Sequence, residues 1–335
     1  MSHIHHIGVH KEQLVLRSHI IRHIREFFWL QKFLEVETPT IIGLAGQEPY
    51  LDPVALSVCD AQGNEYHGYL HTSPEYTMKK MLAAGFERIF YLGKCFRDKE
   101  SFGGVHNPEF TLLEWYRAGT DFYALMDDVV NLFAFVEKGL QDVACDVRHI
   151  HNWKKVSMRD LWIETIGVDL DDYLDDEAMN HLCYTRGFQV EKHERYEDCF
   201  FKIFLHDIEP ALKKMGNIIV HHYPAQMAAL ALLSNQDPRY AERFEVYIDG
   251  VEIANAFSEL TDAFEQRMRL QEEQLLRKQL GKRVYPLDEE FLTAVQHMPS
   301  SAGIALGVDR LVMVLLGCQE INDVLVLPMS KIYDV

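Results

Sequence analysis

A predicted antiparallel hairpin carries an arginine, a histidine, an aromatic residue and a carboxylate on its two arms. Its first arm ends at Arg97, a polar loop with glycines follows, and the second arm runs from His106 to Tyr116. Because strand side chains alternate between faces, Glu114 shares its face with Phe110 and Tyr116. A carboxylate on such an apolar face is costly unless a cation pairs with it. That cation is either an internal Lys or Arg or the ammonium group of a ligand.

A second predicted hairpin carries a pair of carboxylates. An Asp-Gly pair at 249–250 separates two apolar runs, and it favours a tight turn because both turn positions need positive φ. In that register Glu245 faces Ala254, and Glu252 lies diagonally from Glu245 on the same face. Carboxylates that converge from adjacent strands suit Mg²⁺, which takes oxygen ligands and shares its shell with phosphates. Simple alternation sends Asn255 to the opposite face, so its use there requires a bulge or the strand's end.

The third informative stretch runs from Gly303 to Arg310. Its pattern predicts a strand of small residues, a turn at Gly307 and then an apolar helix that ends at Gly317. Arg310 lies at the start of this helix, where backbone N–H groups already favour anions. Together the three stretches suggest a site that activates a carboxylic acid with ATP.

Length, composition and charge narrow the class of protein. A chain of 335 residues with 48% hydrophobic residues can bury a large core, and we expect one catalytic domain, 1–335. The net charge of -18 disfavours a nucleic-acid surface, because phosphate binding needs clustered Lys and Arg. No apolar run is long enough for a membrane span, and the six cysteines have no C-x-x-C spacing. These features favour a cytoplasmic protein with reduced, buried thiols.

The periodicity of the chain predicts an α+β fold. Helical spacing covers 14–33, 121–140 and 262–280, with Asp288 as the N-cap of a further helix. Alternation over 34–39 that ends at a proline is typical of an edge strand. A helical, acidic insertion is expected at about 157–216. Since no regular βαβ rhythm and no glycine-rich phosphate-binding motif occurs, we expect an antiparallel β-sheet flanked by helices.

These stretches resemble the catalytic core of the class II aminoacyl-tRNA synthetases, most closely the lysyl enzymes. Residues 33–39 resemble motif 1, residues 88–116 motif 2 and residues 303–310 motif 3, in the family's order. The resemblance implies a core built around an antiparallel sheet, a homodimer formed through motif 1, and ATP with Mg²⁺ as cofactors.

The resemblance also implies which residues bind ATP. Arg97 is the catalytic residue, placed on the α-phosphate and the substrate carboxylate, while Phe110 and Arg310 enclose the adenine. Glu245 and Glu252 hold Mg²⁺. The motif 2 loop is longer than usual, so the acid that follows the arginine is Asp98 or Glu100. The residues expected to contact ATP are Arg97, Glu100, His106, Phe110, Glu245 and Arg310.

A dicationic amino acid is the substrate that the resemblance implies. Glu75 and Glu114 receive the amino group next to the carboxylate, and Asn255 lies near the carboxylate itself. Glu259 and Tyr116 bind the distal ammonium. The residues expected to contact the amino acid are Ser73, Glu75, Glu114, Tyr116, Asn255, Glu259 and Ala305.

One departure from the lysyl enzymes concerns the substrate. Ala305 stands where they have glycine in motif 3, and its methyl would crowd the α-carbon side of the pocket. One methyl can supply ~1–3 kcal/mol of discrimination, which favours a lysine whose amino group lies on the β-carbon. Ala256 stands where the family has Asn-Gly-Phe, at the pocket floor.

The motif 1 helix begins near residue 14, so we expect no N-terminal anticodon-binding OB domain and regard tRNA as an unlikely acceptor. Such a core resembles the elongation factor P β-lysine ligase family, which forms an aminoacyl adenylate and transfers it to a lysine of elongation factor P. The implied partners are therefore lysine or β-lysine, elongation factor P and a second copy of the chain, and no membrane. The alternatives are a minimal lysyl-tRNA synthetase-like enzyme that charges tRNA and a non-catalytic regulatory paralogue.

Overall fold

The computed structural model describes residues 2–141, 143, 147–191 and 194–333. They form two compact units, one within residues 1–120, 131–150 and 261–335 and the other within 121–130 and 151–260. One catalytic domain over 1–335 therefore stays a prediction. The strands are β1 (Leu34–Glu35), β2 (Ile41–Ile42), β3 (Ala55–Cys59), β4 (Glu65–Leu70), β5 (Arg88–Phe96), β6 (Glu109–Ala118), β7 (Lys154–Ser157), β8 (Asn217–Pro224), β9 (Tyr240–Ile248), β10 (Val251–Ser258) and β11 (Ser301–Gly307).

The helices follow the predicted periodicity with shifted ends. Asp262 and Asp288 cap their helices as side-chain acceptors, Asp262 from the N–H groups of Phe264 and Glu265 and Asp288 from that of Phe291. The α-helices are α1 (His3–Val9), α2 (Lys11–Leu30), α3 (Glu75–Ala83), α4 (Phe122–Gln141), α5 (Met158–Ile166), α6 (Asp176–Thr185), α7 (Tyr196–Ile203), α8 (Glu209–Met215), α9 (Ala263–Gln279), α10 (Glu289–His297), α11 (Val308–Leu315) and α12 (Met329–Ile332).

In the first unit the strands that carry motifs 2 and 3 lie side by side. The order is β1-β5-β6-β11, with β5–β6 and β6–β11 antiparallel. Glu114 on β6 pairs with Tyr91 on β5 and with Ala305 on β11. A buried apolar cluster that includes Leu112 and Tyr116 covers this face, as the alternation along β6 predicts. A separate sheet, β2-β4-β3, belongs to the same unit.

In the second unit the strand order is β10-β9-β8-β7. The helices α5 to α8 occupy the segment expected to be a helical insertion. Their apolar sides, including Trp162, Phe200 and Leu212, are buried in one cluster with Val220 and Tyr247 of the sheet. Burial of this kind is the main stabilising contribution to a helix in water, so these helices depend on the sheet for their stability.

Two expectations about the strands are corrected. The edge strand expected at 34–39 is restricted to Leu34–Glu35, because Pro39 and the residues before it leave the ladder after Val36 donates to the carbonyl of Phe90. The pairing is also mixed, since β1–β5 and β7–β8 are parallel. The predicted antiparallel sheet therefore holds for the inner pairs of each unit.

No helix in the described part of the chain is long and apolar enough to cross a membrane. Of the cysteines, Cys95, Cys183 and Cys199 are buried, but Cys59 is exposed, so the expectation of buried thiols is wrong at that position. Cys145 lies outside the described residues.

Candidate active site

Glu114 lies at the centre of a buried polar cluster on β6. It is 1% exposed, and its carboxylate accepts hydrogen bonds from the Ser73 hydroxyl at 2.5 Å and the Tyr116 hydroxyl at 3.2 Å. Burial and then the charge of neighbouring Glu75 raise the pKa of Glu114 to about 8. The carboxyl group is thus mostly protonated at neutral pH until a cation reaches it.

Glu75 stands beside this carboxyl at the start of α3. Its backbone N–H donates to the Ser73 hydroxyl at 3.0 Å, so Ser73 connects two of the expected substrate contacts. The Glu75 carboxylate forms an ion pair of 2.7 Å with Lys79, which is 1% exposed. The i,i+4 spacing of the two residues on α3 allows this contact. Much of the charge of Glu75 is therefore balanced within the protein.

A cavity of about 390 Å³ opens over these residues in the first unit. Ser73 and Glu75 form one wall, and a loop that includes Gly46 and Glu48 forms another. Its size suits a small ligand such as an amino acid. The first unit therefore places the expected substrate contacts Ser73 and Glu75 at a cavity, with Glu114 and Tyr116 directly behind Ser73.

The arginine of motif 2 is held against an aromatic ring. The Arg97 guanidinium carbon lies 4.9 Å from the centroid of the Phe110 ring, a cation–π distance. Its backbone N–H donates to the carbonyl of Pro108 at 2.9 Å, which closes the two arms of the hairpin. The structure therefore brings together the residue expected on the α-phosphate and a residue expected on adenine.

Three residues expected to bind ATP meet at the motif 2 loop. His106 Nδ1 lies 2.9 Å from a carboxylate oxygen of Glu100, and His106 Nε2 lies 3.4 Å from Nη2 of Arg310. Arg310 Nε also donates to the carbonyl of Val105 at 3.1 Å. The hydrogen bond from His106 lowers the pKa of Glu100. Of the two acids considered in this loop, Glu100 is the one that contacts His106.

A buried ion pair positions the start of the motif 3 helix. Asp309 is 1% exposed and lies 2.6 Å from Nη1 of Arg17. Its other oxygen accepts from the backbone N–H of Thr111 at 2.7 Å. Removing one partner from a buried pair is strongly destabilising. The pair therefore fixes Arg310, the next residue, relative to β6.

The hairpin of the second unit has the expected turn and a different register. Asp249 and Gly250 have φ values of 51° and 79°, as a tight Asp-Gly turn requires. A bulge between Glu252 and Ala254 shifts the pairing, so that Asn255 and not Ala254 lies opposite Glu245. The expectation that Ala254 faces Glu245 is wrong, because strict alternation does not include the extra residue that a bulge inserts into one strand. The bulge places Asn255 on the same face as Glu245. A bulge was the condition expected for Asn255 to take part in the same site.

Glu245 is surrounded by hydrogen-bond donors. Its carboxylate accepts from the Tyr223 hydroxyl at 2.6 Å, the Tyr247 hydroxyl at 2.5 Å and Nη2 of Arg243 at 2.6 Å. Arg243 Nε donates to the Asn255 side-chain oxygen at 3.0 Å. Arg243, Glu245 and Tyr247 alternate along β9, and Asn255 and Glu252 of β10 stand opposite Glu245 and Tyr247, so these five residues share one face of β9 and β10. Burial raises the pKa of Tyr247, and the charge of Glu245 raises it further.

The donor set is compatible with Mg²⁺ only in part. Glu245 and Glu252 are hard oxygen ligands on one face, which Mg²⁺ prefers. Among the described residues no group of three His, Cys, Asp or Glu side chains could hold a metal ion by itself. The remaining ligands would have to come from phosphate oxygens and water, as is common for nucleotide-bound Mg²⁺. Glu259, which was expected to bind the distal ammonium group and not the metal, lies just beyond β10 and is 2% exposed.

The family model described as tRNA synthetases class II (D, K and N) matches residues 8–331. The chain belongs to this family. Within this class II tRNA synthetase family chain, residues 88–116, which resemble motif 2, include β5 and β6, and residues 303–310, which resemble motif 3, lie in β11 and at the start of α11. The α+β fold class predicted from the residues is confirmed.

Relatives of this chain carry the name elongation factor P–(R)-β-lysine ligase, and three of them illustrate the similarity. The protein of Proteus mirabilis strain HI4320 is 38% identical over 323 residues. That of Yersinia enterocolitica is 37% identical over 321 residues, and that of Hamiltonella defensa is 35% identical over 321 residues. Each match covers 95% of this chain and 95% of the relative.

Several contacts of this class II synthetase family site were not predicted. The pair Glu75 and Lys79 could have been found from its i,i+4 spacing, and Asp309 from its place before Arg310. The sequence around Arg17 does not indicate its ion pair with Asp309, because Arg17 reaches Asp309 from a helix that is distant in sequence. Glu48 lies two residues after Gly46 in a loop without periodicity.

Proposed function

We propose that the protein activates β-lysine with ATP as an aminoacyl adenylate and transfers the β-lysyl group to a lysine side chain of elongation factor P. The observation that carries the proposal is the carboxyl set around Ser73, in which Glu75 lines a cavity and the buried Glu114 lies directly behind Ser73. A dicationic amino acid is the ligand that such a set suits electrostatically. The name that the relatives carry supports both the substrate and the acceptor.

In the first step an oxygen of the amino-acid carboxylate attacks the α-phosphorus of ATP, an acyl–oxygen–phosphorus bond forms, and pyrophosphate leaves. Arg97 binds the phosphate oxygens on which charge grows in the transition state. Glu100, His106 and Arg310, which contact one another, hold the nucleotide. Glu245 and Glu252 would hold Mg²⁺, which would supply further neutralisation of phosphate charge.

In the second step the ε-amine of the acceptor lysine attacks the carbonyl carbon of the mixed anhydride. An amide bond forms, AMP leaves with the electron pair of the broken acyl–oxygen bond, and the amine loses a proton. A lysine amine has a reference pKa of ~10.4, so it must lose one proton before the attack as well. The homodimer is also part of this proposal, and Trp29, Leu30 and Leu34 at the end of α2 and in β1 are exposed apolar residues that support it.

The first step is tested by exchange of labelled pyrophosphate into ATP. We expect exchange that depends on the amino acid and is faster with β-lysine than with α-lysine. His67→Ala, on the exposed strand β4 and outside the proposed contacts, is the control for variants made in the site. Exchange that does not depend on a diamino acid would refute the proposed substrate.

A further inference from the structure

Glu48 lies on the cavity wall. It lines the same cavity as Ser73 and Glu75, although it belongs to a loop before β3 that carries none of the three motifs. The cavity wall therefore contains a carboxylate in addition to Glu75, which was expected to bind the substrate.

The backbone of Glu48 is held by a buried arginine. Nη1 of Arg277 donates to the carbonyl of Glu48 at 2.7 Å and to that of Leu51 at 3.0 Å, and Arg277 is 0% exposed. The Gln47 amide group, also buried, donates to the carbonyl of Pro286 at 3.1 Å. These hydrogen bonds restrict the conformations that the loop can adopt. The position of Glu48 is thus built into the fold.

Gly46 leaves room for the Glu48 side chain. A Cβ added at Gly46 would lie 2.9 Å from Cδ of Glu48 and would collide with its carboxylate oxygen. The carboxylate therefore folds back over the glycine. Gly46 does not have a left-handed φ, so an alanine there would displace the Glu48 side chain without straining the backbone.

The charges around the cavity indicate that Glu48 can bind a cation together with Glu75. Lys79 already balances Glu75 at 2.7 Å, and Glu114 has a pKa of about 8. Burial raises the pKa of Glu48, the charge of Glu75 raises it further, and the charge of Arg97 lowers it. Glu48 therefore lies within electrostatic range both of Glu75 and of the arginine proposed to bind the substrate carboxylate. A cation between Glu48 and Glu75 would relieve their repulsion.

We infer that Glu48 is a further substrate-binding residue, which receives together with Glu75 the amino group nearest the carboxylate of the amino acid. This inference rests on the proposed function. Of the two amino groups of β-lysine, the distal one lies farther from the carboxylate that Arg97 binds. Glu48 thus helps to select amino acids that carry an amino group near the carboxylate.

The test is calorimetric binding of β-lysine and of two analogues with a single amino group to the wild type and to Glu48→Gln. ε-Aminocaproic acid lacks the amino group near the carboxylate, and β-aminohexanoic acid lacks the distal one. Loss of a hydrogen bond to a charged group weakens binding by about tenfold or more. We expect that loss for β-lysine and β-aminohexanoic acid, and a change below about twofold for ε-aminocaproic acid.

Two further variants make the result specific. Glu65→Gln removes an exposed glutamate of β4 and should bind all three compounds as the wild type does. Gly46→Ala displaces the Glu48 carboxylate and should reproduce the loss, whereas the double variant should lose no more than either single one. Unchanged β-lysine binding in Glu48→Gln, or a loss that follows the distal amino group, would overturn the inference alone. If the wild type binds none of the compounds, the proposed function fails as well.

Discussion

Binding of the diamino acid should release a proton from Glu114. The carboxyl group has a pKa of about 8 in the substrate-free protein, so ~0.9 of it is protonated at pH 7. An ammonium group next to the carboxylate favours its charged form and lowers its pKa. We therefore expect release of ~0.9 proton per bound β-lysine at pH 7 and of ~0.1 at pH 9.

The same linkage sets the direction of the pH dependence of affinity. The ionised fraction of Glu114 rises from ~0.01 at pH 6 to ~0.5 at pH 8. If only the ionised form binds the ammonium, the affinity should rise by about 50-fold between these pH values. The rise should end once the pH exceeds the pKa of about 8.

Isothermal titration calorimetry in buffers with different enthalpies of ionisation measures the number of protons released. Glu114→Gln keeps the size of the side chain and can still accept hydrogen bonds from Ser73 and Tyr116, so it serves as the matched control. We expect its binding of β-lysine to be weaker and to release ~0.9 fewer protons at pH 7 than the wild type does. Equal proton release in the wild type and in Glu114→Gln would refute the reasoning, as would none in the wild type at pH 7.

Further predictions concern catalysis, stability, specificity and assembly. Arg97→Ala should reduce pyrophosphate exchange by ~10²–10³ or more while thermal melting stays that of the wild type; exchange near the wild-type rate would contradict its assignment. Because the pKa of Glu114 is raised in the folded protein, stability should fall between about pH 4.5 and 8, and Glu114→Gln should melt higher than the wild type at pH 8 but not at pH 4. Ala305→Gly should move the ratio of exchange rates with β- and α-lysine toward α-lysine by about tenfold; an unchanged ratio would show that the methyl plays no part. Leu30→Asp, at a position 70% exposed, should convert a dimer into a monomer in sedimentation, and a monomeric wild type would refute the dimer.

Local signals in the sequence were sufficient for the elements that carry the site. The Asp-Gly turn at 249–250 was predictable because the need for positive φ belongs to those two residues alone. The face shared by Glu114 and Tyr116 follows from alternation on one strand. The N-cap at Asp288 depends on neighbours within one turn.

Contacts between distant segments could not be predicted in this way. The bulge after Glu252 depends on how β9 and β10 pack, and alternation along one strand does not contain it. Arg277 holds the loop of Glu48 from more than two hundred residues away, and no periodic pattern links the two segments. The protonated state of Glu114 likewise arises from burial and from Glu75, neither of which is visible in the sequence around it.

The central claim is transfer of an activated diamino acid to a protein. The most direct measurement is the intact mass of elongation factor P after incubation with this protein, ATP, Mg²⁺ and β-lysine, with tRNA offered in a parallel reaction. We expect a gain of one lysyl unit on the factor, uncharged tRNA, and no gain with the Arg97→Ala variant. An unmodified factor together with aminoacylated tRNA would contradict the account and would make the protein a tRNA-charging enzyme.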